Sequence, residues 1–152
     1  MPATRFVRFP KAAGHTHIRK THSGIFPEKN RLKNKPAGVL HRYGGPVDLM
    51  KQALSWGMYI SFNNDLTYPA WNKPHIDCLM ACPWEQMLVE TDCPYAPPYG
   101  REHDRCESSD VRNVIRVIAQ LRNVSEEFAA RITCENAMRL YRITQSPVPN
   151  SG

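Results

Sequence analysis

His41 closes the short apolar run "GVLH" (38–41), and Asp92 closes a second one, "MLVETD" (87–92), which also carries Glu90. An imidazole and a carboxylate at strand ends are donor types that bind a divalent cation. Further imidazoles stand upstream in "HTHIRKTH" (15–22). If that stretch begins at a third strand end, two histidines and an aspartate project into one mouth. Each residue alone also has a plainer use. A strand-end histidine bonds locally, and an aspartate ahead of a proline-containing loop caps a turn. Recurrence at equivalent positions is what favours a cation.

Strand ends collect functional groups where the strands run parallel, and the surrounding sequence predicts that arrangement. After "GVLH" come Gly44, Gly45 and Pro46, then Val47, Met50 and Leu54 at helical spacing with Ala53 beside them. Pro46 suits a helix start and Gly57 a helix stop. "MYISF" (58–62) is aromatic and β-branched, a strand. Strand, helix and strand make a βαβ unit, which implies parallel pairing. "MLVETD" does not alternate, as expected of a strand covered on both faces. Pro94, Pro97 and Pro98 then turn the chain away and leave Glu90 and Asp92 at an open rim.

Between these strands, Tyr68-Pro69 and Lys73-Pro74 read as breaks, with a short helix from about His75 to Ala81. Two helices follow the proline-rich loop. Val111, Val114, Ile115, Ile118 and Leu121 form one apolar stripe; Phe128, Ile132, Ala137 and Leu140 form another, with Ser125 as N-cap ahead of Glu126 and Glu127. Residues 1–14 read as an irregular basic arm, 27–36 as a loop and 144–152 as a frayed tail.

A chain of 152 residues suffices for one domain with a core, and 41% hydrophobic content argues against global disorder. No apolar run reaches the roughly 18 to 20 residues that span a bilayer, and the N-terminus lacks a secretory core, so the expected location is cytoplasmic. The five cysteines, an odd number without tight pairs, argue against a disulfide scaffold; Cys78 and Cys82 are expected as buried free thiols. Of the net +6, residues 1–43 hold ten Lys or Arg against Glu28 alone, whereas residues 44–152 hold ten against thirteen acids. The basic third suits either phosphate backbones or a solvated arm.

"GVLHRYGG", "MYISF", "LVETDCPYAPP" and "ITCENAMRLY" together resemble, in order, the second-half motifs of the TatD family of metal-dependent hydrolases, and "HIRKTH" is similar to the stretch after that family's fifth strand. The resemblance covers about residues 15–143. It implies an α/β fold, a partial TIM-type (β/α)₈ barrel of roughly the last four βα units. It also implies a top-face site with one or two divalent ions (Mg, Mn or Zn) that hydrolyses phosphodiester bonds, typically in DNA. Carried over by position, His17, His41 and Asp92 are metal ligands, with Asp92 also the catalytic proton acceptor. Glu90 supports the site, and Arg19 and His22 contact substrate or support the ligands.

A whole barrel needs about 250 residues. The strands expected here, near 13–17 and at 38–41, 58–62 and 87–92, correspond to the final four. The family's first-strand H-x-H pair and strand-four carboxylate have no counterpart, unless "HTH" (15–17) serves as the pair. Cys106-Glu107-Ser108 stands where the family has Asn-Glu-Pro, and Tyr43 where Phe is commoner. The expectation is therefore a truncated deoxyribonuclease-like hydrolase with weak or no activity alone. The alternatives are an inactive nucleic-acid-binding or interaction module, and a hydrolase of other substrates. An open half-barrel should strip packing from Val39, Leu40, Ile60, Leu88 and Val89. Self-association, pairing with an N-terminal half-chain, or marginal stability is the expected consequence.

Overall fold

The computed structural model describes residues 11–12, 15–16, 38–69 and 72–143. Its centre is a three-stranded parallel sheet in the order β3 (Val39–Leu40), β4 (Tyr59–Phe62), β5 (Met87–Val89). Val39 pairs with Tyr59, and Ile60 with Met87. The strands are short because each stops where polar residues begin.

Helix α1 (Val47–Ser55) connects β3 to β4, and α2 (Asn72–Ala81) connects β4 to β5. Pro46 caps α1 in extended conformation, and Gly57, at φ +83°, follows its end, where a side chain would be strained. Helix α2 begins at Asn72, earlier than His75, and takes Pro74 into its first turn. The missing proline N–H has no partner to lose there. After β5, the chain forms α3 (Val111–Arg122) and α4 (Glu126–Tyr141). Ser125 accepts a hydrogen bond from the Phe128 N–H, the cap that its sequence position implied.

The core lies between sheet and helices. Leu40, Ile60, Phe62 and Met87 meet Met50 and Ala53 of α1, Leu79 of α2, and Val114 and Ile118 of α3. The anticipated loss of packing is not found: Val39, Leu40, Ile60 and Leu88 are all buried, and Val89 is half-buried against the core. The stripe on α4 also differs from expectation. Phe128, Ile132, Ala137 and Leu140 are only half-buried, while Ala129, Thr133 and Asn136 form the deepest seam. Small and polar residues let the helix approach β5, where Asn136 Nδ2 donates to the carbonyls of Trp84 (2.6 Å) and Met87 (2.9 Å).

The expected strand near 13–17 is corrected. His15–Thr16 (β2) pairs antiparallel with Lys11–Ala12 (β1) in a separate two-stranded sheet, not parallel with β3. "KAAGHT" offers two alanines as its apolar side chains, too little for a strand buried on both faces. The cysteines behave as expected: all five are free thiols, with Cys78, Cys82 and Cys106 buried. Among the described residues no helix is long and apolar enough to cross a membrane.

Candidate active site at the strand ends

All three parallel strands deliver ionisable groups to the same end of the sheet. β3 runs into His41 and Arg42, β4 into Asp65, and β5 into Glu90 and Asp92. Backbone pairing carries these connections past the strands themselves, from the Tyr43 N–H to the Ser61 carbonyl and from the Glu90 N–H to the Phe62 carbonyl. Arg42 (φ +48°) and Asp92 (φ +62°) both adopt the left-handed conformation. Such positions cost about 1–3 kcal/mol in non-glycine residues and persist where surrounding bonds enforce them.

Those bonds are specific. Glu90 Oε2 lies 2.6 Å from His41 Nδ1, and its Oε1 accepts the Arg42 backbone N–H at 2.7 Å. An ionised carboxylate only accepts, so the proton sits on Nδ1 and the lone pair of the neutral ring on Nε2. That Nε2 lies 3.5 Å from Asp92 Oδ1. The hydrogen bond to Glu90 raises the His41 pKa above its ordinary value; burial opposes the rise, while the charges of Glu90 and Asp92 reinforce it. Arg42 Nη1 binds Asp92 Oδ2 at 2.9 Å, and Nη2 reaches both oxygens of Asp65, at 2.9 and 2.7 Å. His75 Nε2, from α2, stands 3.8 Å from Asp65 Oδ2.

The arrangement fits part of a cation site. Two ligands about 2.0–2.2 Å from a tetrahedral zinc lie roughly 3.3–3.5 Å apart, matching the 3.5 Å between Nε2 and Oδ1. A carboxylate that fixes the far nitrogen of a ligating histidine is the usual support for such a ligand. Among the described residues, no group of three His, Cys, Asp or Glu side chains converges as a complete site. His17, Arg19 and His22 lie outside the described residues. A nearby cleft of about 270 Å³, lined by Cys93, Pro94, Arg105, Cys106, Glu107 and Ser108, includes none of the clustered charges, which instead occupy the open rim.

Sequence reasoning selected His41, Glu90 and Asp92, and the structure brings these three together. It missed Arg42, Asp65 and His75. Asp65 was accessible to the same strand-end rule, since "MYISF" continues directly into Asn63, Asn64 and Asp65. Those asparagines are buried, and Asn63 Nδ2 and Asn64 Oδ1 have no hydrogen-bond partner among the described residues.

Comparison with known proteins extends this picture. The profile of the TatD related DNase family matches residues 11–142. The chain is 34% identical over 106 residues to the uncharacterized metal-dependent hydrolase YabD of Bacillus subtilis, covering 70% of this chain and 41% of that protein. It is 33% identical over 110 residues to the uncharacterized metal-dependent hydrolase YcfH of Escherichia coli K12, covering 72% and 41%. Over 117 residues it is 26% identical to the 3'-5' ssDNA/RNA exonuclease TatD of a Rahnella species, covering 74% and 44%. The crystal structure of the TatD homologue YjjV of Escherichia coli superposes with a TM-score of 0.65 at 23% identity, covering 70% of this chain and 41% of that one. The chain thus spans about two-fifths of the length of the curated relatives it matches. Its α/β architecture is part of a TIM-type (β/α)₈ barrel. The family profile, matched over most of the residues, establishes that this chain belongs to the TatD-related DNase family.

Proposed function

We propose that the chain forms the C-terminal part of a metal-dependent phosphodiesterase centre acting on nucleic acid, with His41, Asp92 and His17 as cation ligands. The observation that carries this reading is the pairing of His41 Nε2 with Asp92 Oδ1 at 3.5 Å while Glu90 occupies Nδ1. A bound cation supplies Lewis acidity toward water and the phosphoryl oxygens. Glu90 keeps the imidazole in the tautomer that offers Nε2. Asp92 Oδ1, not engaged by Arg42, is the oxygen free to ligate or to take a proton from water. Nucleic acid as substrate is supported by the exonuclease name of the Rahnella relative and by the basic residues of the N-terminal third. The remaining donors come, in this proposal, from outside residues 38–143.

The test is cleavage of an end-labelled single-stranded oligonucleotide by purified chain with Mg²⁺, Mn²⁺ or Zn²⁺. Activity is expected to be low and to vanish in Asp92→Ala. Cleavage that continues undiminished in that variant sinks the proposal.

A second reading is a nucleic-acid-binding module without turnover. It is favoured by the presence of only two converging donors among the described residues and by the Arg42 guanidinium against Asp92. Salt-sensitive binding, indifferent to metal and to His41→Ala, is its signature.

A further inference from the structure

We infer that Arg42 is the positioning residue of Asp92, and that Asp65 is the anchor that holds Arg42 in place. The inference rests on reading His41 and Asp92 as a cation-holding pair, and it concerns what aims the second of them. His41 is aimed by Glu90. Asp92 has two equivalent oxygens on a rotatable carboxylate, and among the described residues its side chain accepts a hydrogen bond from Arg42 alone, through Oδ2. That contact turns Oδ1 toward His41 Nε2.

The guanidinium is itself over-determined. Nε reaches Asp65 Oδ2 at 3.2 Å, and Nη2 spans both Asp65 oxygens, which leaves Nη1 directed at Asp92. A planar fork bound along one edge has a fixed opposite edge, a property that a lysine ammonium lacks. All three side chains are largely shielded, at 15% exposure for Arg42, 16% for Asp65 and 25% for Asp92. Solvent therefore competes weakly for these bonds. Asp65 faces His75 on its far side, and the His75 ring lies so close to Gly44 that any side chain there would collide with it. The chain of contacts from α2 through Asp65 and Arg42 to Asp92 thus joins all three strand ends.

The opposite role is also physically definite: a guanidinium on Asp92 could compete with the cation and weaken its binding. The sign of one measurement separates the two. Mn²⁺ binding by the full chain is measured calorimetrically for the parent protein and for Arg42→Gln, Arg42→Lys, Asp65→Asn and the Arg42→Gln/Asp65→Asn double variant, with melting curves to verify folding.

Positioning predicts a loss of about tenfold or more in Mn²⁺ affinity for Arg42→Gln, in the range found when groups supporting metal ligands are removed. Arg42→Lys should recover part of it. The double variant should bind no more weakly than Arg42→Gln, because Asp65 acts through Arg42. Tighter or unchanged binding in Arg42→Gln overturns the inference, as does full additivity in the double variant. A crystal structure of metal-free Arg42→Gln supplies the second readout. Asp92 Oδ1 should have turned away from His41 Nε2, and a carboxylate unmoved from its 3.5 Å separation refutes the positioning role. If the parent chain binds no Mn²⁺ while the carboxylate turns in the variant, the proposed function falls and the role of Arg42 stands.

Discussion

The thiols show how strongly local surroundings decide the chemistry of one residue type. Burial pushes Cys78 up to about 11 and Cys82 up to about 12, and it raises Cys106 as well. Cys93 is exposed and held below its ordinary value by hydrogen bonds from Ser108 and Thr91. Only a thiolate alkylates at an appreciable rate. Brief iodoacetamide treatment of the native protein at pH 8 is therefore expected to label Cys93 and Cys134 and spare the other three. Peptide mass mapping checks this; early labelling of Cys78 or Cys82 would show that the core around α2 is not packed as described. Asp110 is the acidic counterpart. It accepts the Glu107 N–H at 2.8 Å and Arg101 Nη1 at 2.7 Å, and the Glu107 backbone bond, followed by the Arg101 charge, holds its pKa below the ordinary value despite the cost of burial. A depressed carboxyl pKa stabilises the fold above the unfolded-state value and ceases to do so as pH falls through the native one. Asp110→Asn should thus cost about 1 kcal/mol near neutrality, and the gap to the parent should close in acid below pH 4, read by urea unfolding across pH.

At the scale of elements, the motif "ITCENAMRLY" has a structural explanation. Thr133 and Asn136 lie on the buried seam of α4, with the Thr133 hydroxyl turned back to the Ala129 carbonyl and Asn136 bonded to the chain around β5. That pairing fixes the helix against the strand that carries Glu90 and Asp92. Asn136→Ala should destabilise the protein by about 1–3 kcal/mol, because two inward-facing carbonyls lose their donor. Chemical denaturation measures it, and a change within a few tenths of a kcal/mol would mean that α4 is held by its apolar flank alone. Ser125→Ala, which removes the cap of the same helix, should cost about 1 kcal/mol. Strands β3 and β5 were legible by type and order from non-alternating apolar runs, but their ends were read too far along. β5 ends at Val89, with one further backbone bond from the Glu90 N–H to the Phe62 carbonyl, and Asp92 lies beyond it in the left-handed conformation.

For the whole molecule, the uneven charge is the property with the widest reach. Ten basic residues against one acid in residues 1–43 face a remainder in which acids outnumber bases. If the chain engages nucleic acid as proposed, affinity for single-stranded DNA should fall steeply between 50 and 200 mM salt, about as counterion release requires for several phosphate contacts. Fluorescence anisotropy reads this directly, and affinity independent of salt would exclude both nucleic-acid readings. The sheet also ends, among the described residues, at β3 on one side and β5 on the other. Val39, Leu40 and Leu88 on these strands are buried.

What the sequence determined by itself was local or strictly periodic: parallel βα alternation, the caps at Pro46 and Ser125, and the placement of His41, Glu90 and Asp92 at strand ends. These follow from hydrophobic spacing and turn chemistry, which act over a few residues. Only the tertiary structure decided that Asp65 would cross from the end of β4 to hold Arg42, and that Arg42 would then hold Asp92. Charged partners 23 and 50 residues apart leave no periodic trace in a sequence, because an ion pair depends on where side chains end in space and not on how the chain reaches that point.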